Sequence, residues 1–282
     1  MMKTNCLLQL NGLVLGALLS LHAVADPEPI VVCYPGGPVN EADANTAMEA
    51  MLRVIERVGE WPAHRFNSFF TADPAQCKSL MTQKKPAFAI TSLGLFLEQH
   101  DSLPLEPIVQ PRMKGSTSER YHLMIQKGRY PSLESLKGKS VGGTVFEEPD
   151  FLQRIVFKGT LAPPTFFHLE KSRQAIKALR SLDKGELDAV LLNGQQFDAL
   201  PSLPLKSSLE AIYTSDAIPL MGLIADRNLS SLEERTDFAR ALEGMCLDVD
   251  GKKLCELFGI EAFVPIDKAA IDSAMALWKK GH

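Results

Sequence analysis

The sequence predicts an α/β protein of two lobes, because short apolar strands alternate along the chain with segments of helical periodicity. The alternation occurs in two sets, which separate near residues 112–120 and rejoin near residues 212–225. A chain of 282 residues fits one large domain or two modest lobes. We therefore expect two mostly parallel sheets flanked by helices and joined by a two-segment hinge.

The first 25 residues have the layout of a secretory signal peptide. Lys3 supplies a positive charge, Leu13–Leu19 form a short apolar run, and Ala23-Val24-Ala25 is a cleavage pattern. The apolar run is too short to span a membrane. We expect cleavage near Ala25 and a periplasmic protein that begins at Asp26.

The first set of elements starts with a short apolar strand at residues 30–33. Asn40 can cap the helix that follows, and Asp73-Pro74 opens a second helix with proline at its first position. A short helix ends at His100, and the polar segment Lys114–Glu119 is predicted to be an exposed loop. The remaining strands of this set are predicted at residues 65–70, 86–93, 105–112 and 121–128.

The second set repeats this pattern after a helical turn and a glycine-rich loop at residues 132–144. Its predicted helices cover residues 146–159, 172–186, 232–245 and 266–280, and its predicted strands cover residues 165–169 and 219–228. A further strand starts at Leu187 and breaks at Asn193-Gly194 into another helix.

Four cysteines follow the predicted signal peptide: Cys33, Cys77, Cys246 and Cys255. An even number of cysteines in an exported chain favours disulfides over metal or redox chemistry. Four cysteines allow three pairings, and the sequence does not choose among them. A local bridge between Cys246 and Cys255 is the simplest arrangement, and it would leave Cys33 to pair with Cys77.

Composition and motifs exclude several function classes. The net charge of −4 and the pI near 5.9 do not favour nucleic-acid binding. The six histidines have no metal-ligand spacing, and the chain lacks the common hydrolase, metalloprotease and P-loop signatures. Cys33 could be a nucleophile at a strand end, but no motif places a histidine to serve it. We expect no enzyme activity, no cofactor and no metal site.

Three segments resemble the periplasmic solute-binding proteins of the phosphate, phosphite and phosphonate transport type. They are SLESLKGKSVGGT (132–144), KALRSLDKGELDAVLLNGQQFDAL (177–200) and GMCLDVDGKKLCELFGIEAFVPID (244–267). The resemblance implies the type II two-lobed periplasmic binding fold. It also implies capture of a small polar solute, such as phosphate or a phosphonate, for an ABC-type permease.

The resemblance gives a lobe arrangement in which the first lobe holds residues 26–117 and 216–282, and the second holds residues 118–215. We expect a monomer whose partners are a small-molecule ligand and an ABC permease or a membrane sensor. A ligand-binding or degenerate sensor-input domain that feeds a membrane kinase or chemoreceptor is the alternative function.

Ligands of open α/β sheets lie outside the carboxyl ends of the strands, so the loops at those ends are the candidate binding loops. Gly36 and Gly37 lack the lysine of a P-loop, and we interpret them as a turn that brings backbone N–H groups to the cleft edge. The hydroxyl and amide side chains at the strand ends would hold a small polar ligand. The predicted ligand-binding residues are Tyr34, Gly36, Gly37, Thr91, Ser92, Tyr121, Thr144, Asn193 and Gln195.

The loop GGTVFEEPDF departs from the family pattern. Relatives that bind oxyanions leave backbone N–H groups free at this helix start, whereas this chain has Glu147, Glu148 and Asp150 there. One interpretation is that the three acids cap the helix and face solvent. The other is that they occupy the N–H groups and repel an incoming anion.

Overall fold

The computed structural model describes residues 26–35 and 40–280. The predicted signal peptide, Gly36 and Gly37 lie outside these residues. The strands of the first lobe are β1 (Glu28–Cys33), β2 (Phe66–Thr71), β3 (Phe88–Ile90), β4 (Leu105–Arg112), β12 (Leu223–Asp226) and β13 (Ala262–Pro265). Those of the second lobe are β6 (His122–Gln126), β7 (Ser140–Gly143), β8 (His168–Lys171), β9 (Ala189–Leu192) and β10 (Leu209–Thr214). Two short strands, β5 (Ser118–Glu119) and β11 (Ile218–Pro219), lie on the crossings between the lobes.

Ten α-helices flank the sheets of the described chain. The helices of the first lobe are α1 (Glu41–Val58), α2 (Pro74–Lys84), α3 (Leu93–Gln99), α8 (Leu232–Met245), α9 (Val249–Leu257) and α10 (Lys268–Lys280). The helices of the second lobe are α4 (Pro149–Phe151), α5 (Pro163–Phe166), α6 (Ala175–Asp183) and α7 (Gly194–Ala199). Among the described residues, no helix combines the length and apolar character needed to cross a membrane.

The two-lobed α/β fold class is confirmed, but the sheets are mixed rather than mostly parallel. The first sheet has the order β13-β4-β12-β3-β1-β2, in which only the β3-β1 and β1-β2 pairs are parallel. The second has the order β10-β6-β9-β7-β8, in which β9-β7 and β7-β8 are parallel. Each antiparallel pair of the two main sheets includes a strand next to a crossing, namely β4, β6, β10 or β12.

The two crossings pair with each other. β5 and β11 form a two-stranded antiparallel sheet, with Glu119 opposite Ile218. Beside it, the backbone N–H of Tyr121 donates to the Ser215 hydroxyl at 2.9 Å, and the N–H of Ser215 donates to the Tyr121 carbonyl at 2.9 Å. The segment predicted as an exposed loop therefore contains a hinge strand at its end.

The helix starts follow their capping residues. Asn40 accepts a hydrogen bond from the N–H of Ala42, as the sequence predicts. The predicted helix start at Asp73-Pro74 is confirmed, and Asp73 accepts from the N–H groups at the start of α2. The predicted helix at 146–159 is instead the single turn α4 followed by a π-helix, Leu152–Val156. The predicted strand at 165–169 starts only at His168, because Pro163 opens the short helix α5.

Both disulfides have the predicted pairing. Cys33–Cys77 joins the end of β1 to α2, and Cys246–Cys255 joins the end of α8 to α9. The two bridges therefore fix helices of the first lobe to their neighbours.

A continuous apolar core runs across both lobes. It includes Leu95 and Trp278 of the first lobe, and Val156 and Leu191 of the second. Helix α10 packs on the π-helix of the second lobe, where the Arg154 guanidinium lies 4.7 Å from the Trp278 ring centroid. The C-terminal helix therefore connects the two lobes.

The edge strand β2 is bonded to helix α1 along its free side. The N–H groups of Phe66, Ser68 and Phe70 donate to the side chains of Glu56 (2.9 Å), Glu49 (2.7 Å) and Asn45 (3.2 Å) respectively. The three acceptors recur on one face of α1 because their spacing is close to whole helical turns. A surface groove of about 380 Å³ lies beside Asn45 and Glu49, and Ser68, Phe69, Phe70, Gln76 and Leu80 also line it.

Candidate functional site

Polar groups from both lobes and from the first crossing meet at the carboxyl ends of the strands. Ser92 follows β3 in the first lobe, Glu148 follows β7 in the second, and Glu119 lies on the crossing strand β5. The hydrogen bonds and charge interactions described below connect these segments. We call this region the cleft.

A side-chain hydrogen bond joins the lobes across the cleft. The Ser92 hydroxyl donates to Oε1 of Glu148 at 2.7 Å and accepts from the N–H of Leu95 at 3.2 Å. The N–H of Leu95 also interacts with the Glu148 carboxyl. Gly94 leaves room for this contact, since a methyl group there would collide with the Glu148 oxygen. The Ser92 hydroxyl thus caps α3 and also makes a hydrogen bond to the second lobe.

Burial is the largest influence on the Glu148 carboxyl and raises its pKa to about 7. The Glu98 charge also raises this pKa, whereas the bonds from Ser92 and Leu95 and the charge of Lys78 lower it. Lys78 is itself paired with Glu98. The cross-lobe carboxyl therefore changes its charge near neutral pH.

A second carboxyl, Glu119, lies beside two tyrosines. Its Oε2 accepts from the N–H of Gly194 at 3.0 Å at the start of α7, and its side chain interacts with the Tyr121 hydroxyl. Burial raises the pKa of Glu119, while these two bonds lower it. Burial, together with the charges of Glu119 and Glu148, raises the pKa of Tyr121 well above its ordinary value.

Tyr34 completes this group from the end of β1. The residue as a whole is 43% exposed, whereas burial of its phenol, and then the charge of Glu119, raise its pKa. We call Tyr34, Glu119, Tyr121 and Glu148 the cleft cluster. Phe151 packs edge-on against Tyr121, with 5.8 Å between ring centroids. The cleft cluster therefore combines two carboxyls with two phenols on an apolar base.

Three predicted residues of the second lobe are bonded to protein groups. The buried Thr144 hydroxyl accepts from Nε2 of Gln196 at 2.8 Å. Asn193 and Gln196 form a capping box at the start of α7. Gln195 is exposed, and its Nε2 donates to the carbonyl of Phe258 in the first lobe at 3.3 Å. Gln195 thus adds a further contact between the lobes.

Thr91 has a different environment. The residue is 4% exposed, and its hydroxyl has no hydrogen-bond partner among the described residues. Buried hydroxyls are seldom left without a partner. Thr91 is therefore a free polar group directly beside Ser92.

Three of the predicted residues lie close together around two carboxyls. Ser92 bonds Glu148, Tyr34 interacts with the charge of Glu119, and Tyr121 interacts with both carboxyls. Sequence reasoning missed Glu119 and Gln196. Glu119 lies in a polar stretch of the sequence, and its place at the cleft follows from the pairing of the two crossings and from its bond to Gly194.

The acids of the second-lobe loop do not share one role. Glu148 does not cap its own helix and instead reaches the first lobe. Glu147 pairs with Lys171 at 3.0 Å, and Asp150 is exposed. The interpretation of all three as solvent-facing caps is therefore wrong for Glu148.

Two α/β lobes, a chain that crosses between them twice and a polar cleft at the crossing define the type II periplasmic binding fold. Residues 38–271 match the family described as "ABC transporter, phosphonate, periplasmic substrate-binding protein", and the chain belongs to this family. The family consists of binding proteins that capture a solute for an ABC permease, and it implies a periplasmic location. A comparison with curated proteins gives no match.

Solved structures confirm the fold. A Xanthomonas citri protein bound to ATP has a TM-score of 0.69 at 12% identity and covers 90% of this chain and 98% of its own. A binding component of an ABC phosphonate transporter from Pseudomonas aeruginosa has a TM-score of 0.68 at 18% identity, with 91% and 87% covered. A Prochlorococcus marinus protein in complex with methylphosphonate has a TM-score of 0.65 at 11% identity, with 90% and 98% covered. At these identities the likeness concerns the fold alone.

Proposed function

We propose that the cleft is where this protein captures a small polar solute for its permease. The cross-lobe bond between Ser92 and Glu148 carries the proposal, because it shows polar strand ends of both lobes meeting at one place. We take residues 26–117 and 216–282 as the first lobe, residues 118–215 as the second and the β5–β11 pair as the hinge. A solute that contacts both lobes favours their closed arrangement by its higher affinity for that state.

Tyr34, Thr91 and Tyr121 are the proposed ligand contacts. The free Thr91 hydroxyl can bond a ligand without giving up a protein partner. Tyr34 is a partly exposed residue beside Glu119, and the Tyr121 phenol lies among the carboxyls. Gly36 and Gly37 remain proposed contacts through their backbone N–H groups. Four other predicted residues already bond protein groups, so we propose that they hold the loops around the ligand and do not contact it. They are Ser92, Thr144, Asn193 and Gln195.

Family membership supports export. We propose that the signal peptide is removed near Ala25 and that the mature chain acts as a monomer in the periplasm. Mass spectrometry of protein isolated from the periplasm would show an N-terminus at Asp26. Recovery of an uncleaved chain in the membrane fraction would contradict this part of the proposal.

The capture function is tested by calorimetry and thermal shift with a panel of oxyanions, amines and amino acids on the mature chain. At least one solute should bind and reduce the radius of gyration in small-angle scattering. Failure of every solute to bind or to close the lobes would remove the basis of the proposal.

Two threonine variants sharpen this test. Thr91→Val removes a hydroxyl that has no protein partner, so it should weaken solute binding about tenfold and leave the melting temperature nearly unchanged. Thr144→Val breaks the bond to Gln196 and should lower stability by about 1 kcal/mol. Equal effects of the two variants on binding would contradict the role of Thr91.

A second candidate is a sensor-input domain that no longer binds a solute. Bonds already made within the cleft favour it, namely Thr144–Gln196, Gln195–Phe258 and Ser92–Glu148. Stimulation of a permease ATPase by the protein would support transport. A change in kinase autophosphorylation without any solute would support sensing. Genes for a permease and an ATPase beside this one would also favour transport.

A further inference from the structure

One carboxylate of the second lobe occupies hydrogen-bond donors of the first. Oε1 of Glu148 accepts from the Ser92 hydroxyl at 2.7 Å, and the carboxyl also interacts with the N–H of Leu95. Ser92 and Leu95 are the donors that the end of β3 presents to the cleft. An anionic solute that reached this place would have to displace Glu148 to bond them.

A displaced Glu148 would still lie next to the solute. The Glu119 carboxyl and the phenols of Tyr34 and Tyr121 are close enough to influence one another's ionisation. Like charges within a few ångströms repel strongly when burial limits screening by water. A dianionic group would therefore be repelled by two carboxylates and would find the Ser92 and Leu95 donors already occupied. An ammonium group would instead be attracted by the same carboxylates.

The neighbouring acids show that this contact belongs to Glu148 in particular. Glu147, one residue earlier in the same loop, is paired with Lys171 at the surface, and Asp150 is exposed. Gly94 provides the space that the Glu148 carboxyl fills. Mutating Glu147 removes a charge from the loop and leaves the cleft contact intact, whereas mutating Glu148 removes both the charge and the contact.

We propose that Glu148 determines the specificity of the cleft by taking the place of a solute's acidic group. Dianionic phosphonates are excluded, and the captured solute presents a protonated amine to the cleft cluster. This inference rests on the proposed capture function.

The test is calorimetric titration of the mature chain with methylphosphonate at pH 8. Glu148→Ser frees the donors and removes the charge, so it should bind methylphosphonate at least tenfold more tightly than the wild type. Glu147→Ser removes the same charge from the same loop without touching the cleft, so its affinity should equal that of the wild type. Glu148→Gln keeps the size of the side chain and serves as a second variant if Glu148→Ser does not fold. Its amide oxygen can still accept from Ser92 and Leu95, so it removes only the charge and should gain less affinity than Glu148→Ser.

Variants that gain no affinity for methylphosphonate would overturn the inference, as would a wild type that binds it as tightly as they do. In the solute panel, the tightest wild-type ligand should be an amine, and a phosphate or phosphonate in that position would also overturn it. If the wild type binds no solute while Glu148→Ser gains affinity for methylphosphonate, the role of Glu148 is supported and the capture function is contradicted. If an amine closes the lobes of the wild type but Glu148→Ser gains no affinity for methylphosphonate, the capture function is supported and the role of Glu148 is contradicted.

Discussion

Raising the pH through neutrality should weaken the closed arrangement of the lobes, because it ionises Glu148. The groups that face this carboxyl are Ser92 and Glu98 of the first lobe, Lys78 of α2, and Tyr121 at the hinge. When the lobes separate or the chain unfolds, the carboxyl returns to water and to its ordinary pKa of 4.5. The change to make is Glu148→Gln, which keeps the size of the side chain and removes its titration.

The sign follows from the raised pKa. Below pH 4.5 the carboxyl is protonated in every state, and the closed arrangement has its full stability from this group. Between pH 4.5 and about 7 the open or unfolded chain releases the proton while the closed form keeps it, so the stability of the closed form falls as the pH rises. A shift from 4.5 to about 7 corresponds to roughly 3 kcal/mol, and screening of the partly exposed carboxyl reduces this to about 2 kcal/mol.

Urea unfolding at pH 5 and pH 8 measures this loss, and small-angle scattering at the same pH values shows whether the lobes open first. Between pH 5 and pH 8 the free energy of unfolding should fall by about 2 kcal/mol more in the wild type than in Glu148→Gln. Glu147→Gln is the matched control, and its pH profile should follow that of the wild type because Glu147 is paired at the surface. Parallel profiles for the wild type and Glu148→Gln would refute the reasoning.

Three further predictions concern the first lobe. Glu56→Ala leaves two backbone N–H groups and Arg53 without their buried acceptor, so it should cost about 3–5 kcal/mol in urea unfolding, and a loss under 1 kcal/mol would contradict this. Replacing Cys33 and Cys77 together by serine removes a bridge across 44 residues and should cost about 4 kcal/mol by the loop-entropy relation. The same change in the bridge between α8 and α9, which spans 9 residues, should cost about 2.6 kcal/mol, and the reverse order of the two losses would show that chain entropy does not dominate.

Local signals in the sequence were sufficient for much of the fold. Asn40 was predicted as a helix cap and Asp73-Pro74 as a helix start, because such signals act on backbone groups only two or three residues away. The even number of cysteines in an exported chain predicted disulfides, and the short spacing between Cys246 and Cys255 made the observed pairing the simplest of the three that four cysteines allow. Alternating strands and helices, with the family resemblance, were sufficient for the two lobes.

The contents of the cleft depend on contacts between distant parts of the chain. Ser92 and Glu148 are 56 residues apart and meet only because the hinge brings the lobes together. The sequence shows an acid at the start of α4 but not that its side chain turns away from its own helix. Strand direction has the same limitation, because periodicity reports which residues are buried and not which way a strand enters its sheet.

The bonds between helix α1 and the edge strand β2 have a consequence for the behaviour of the protein at high concentration. An edge strand normally offers a row of free donors to which a strand of another molecule can add. Here Asn45, Glu49 and Glu56 have already taken the donors of Phe70, Ser68 and Phe66. This edge of the first sheet therefore offers fewer free donors to a strand of another molecule, which is of use to a carrier that must reach its permease before it meets other edge strands.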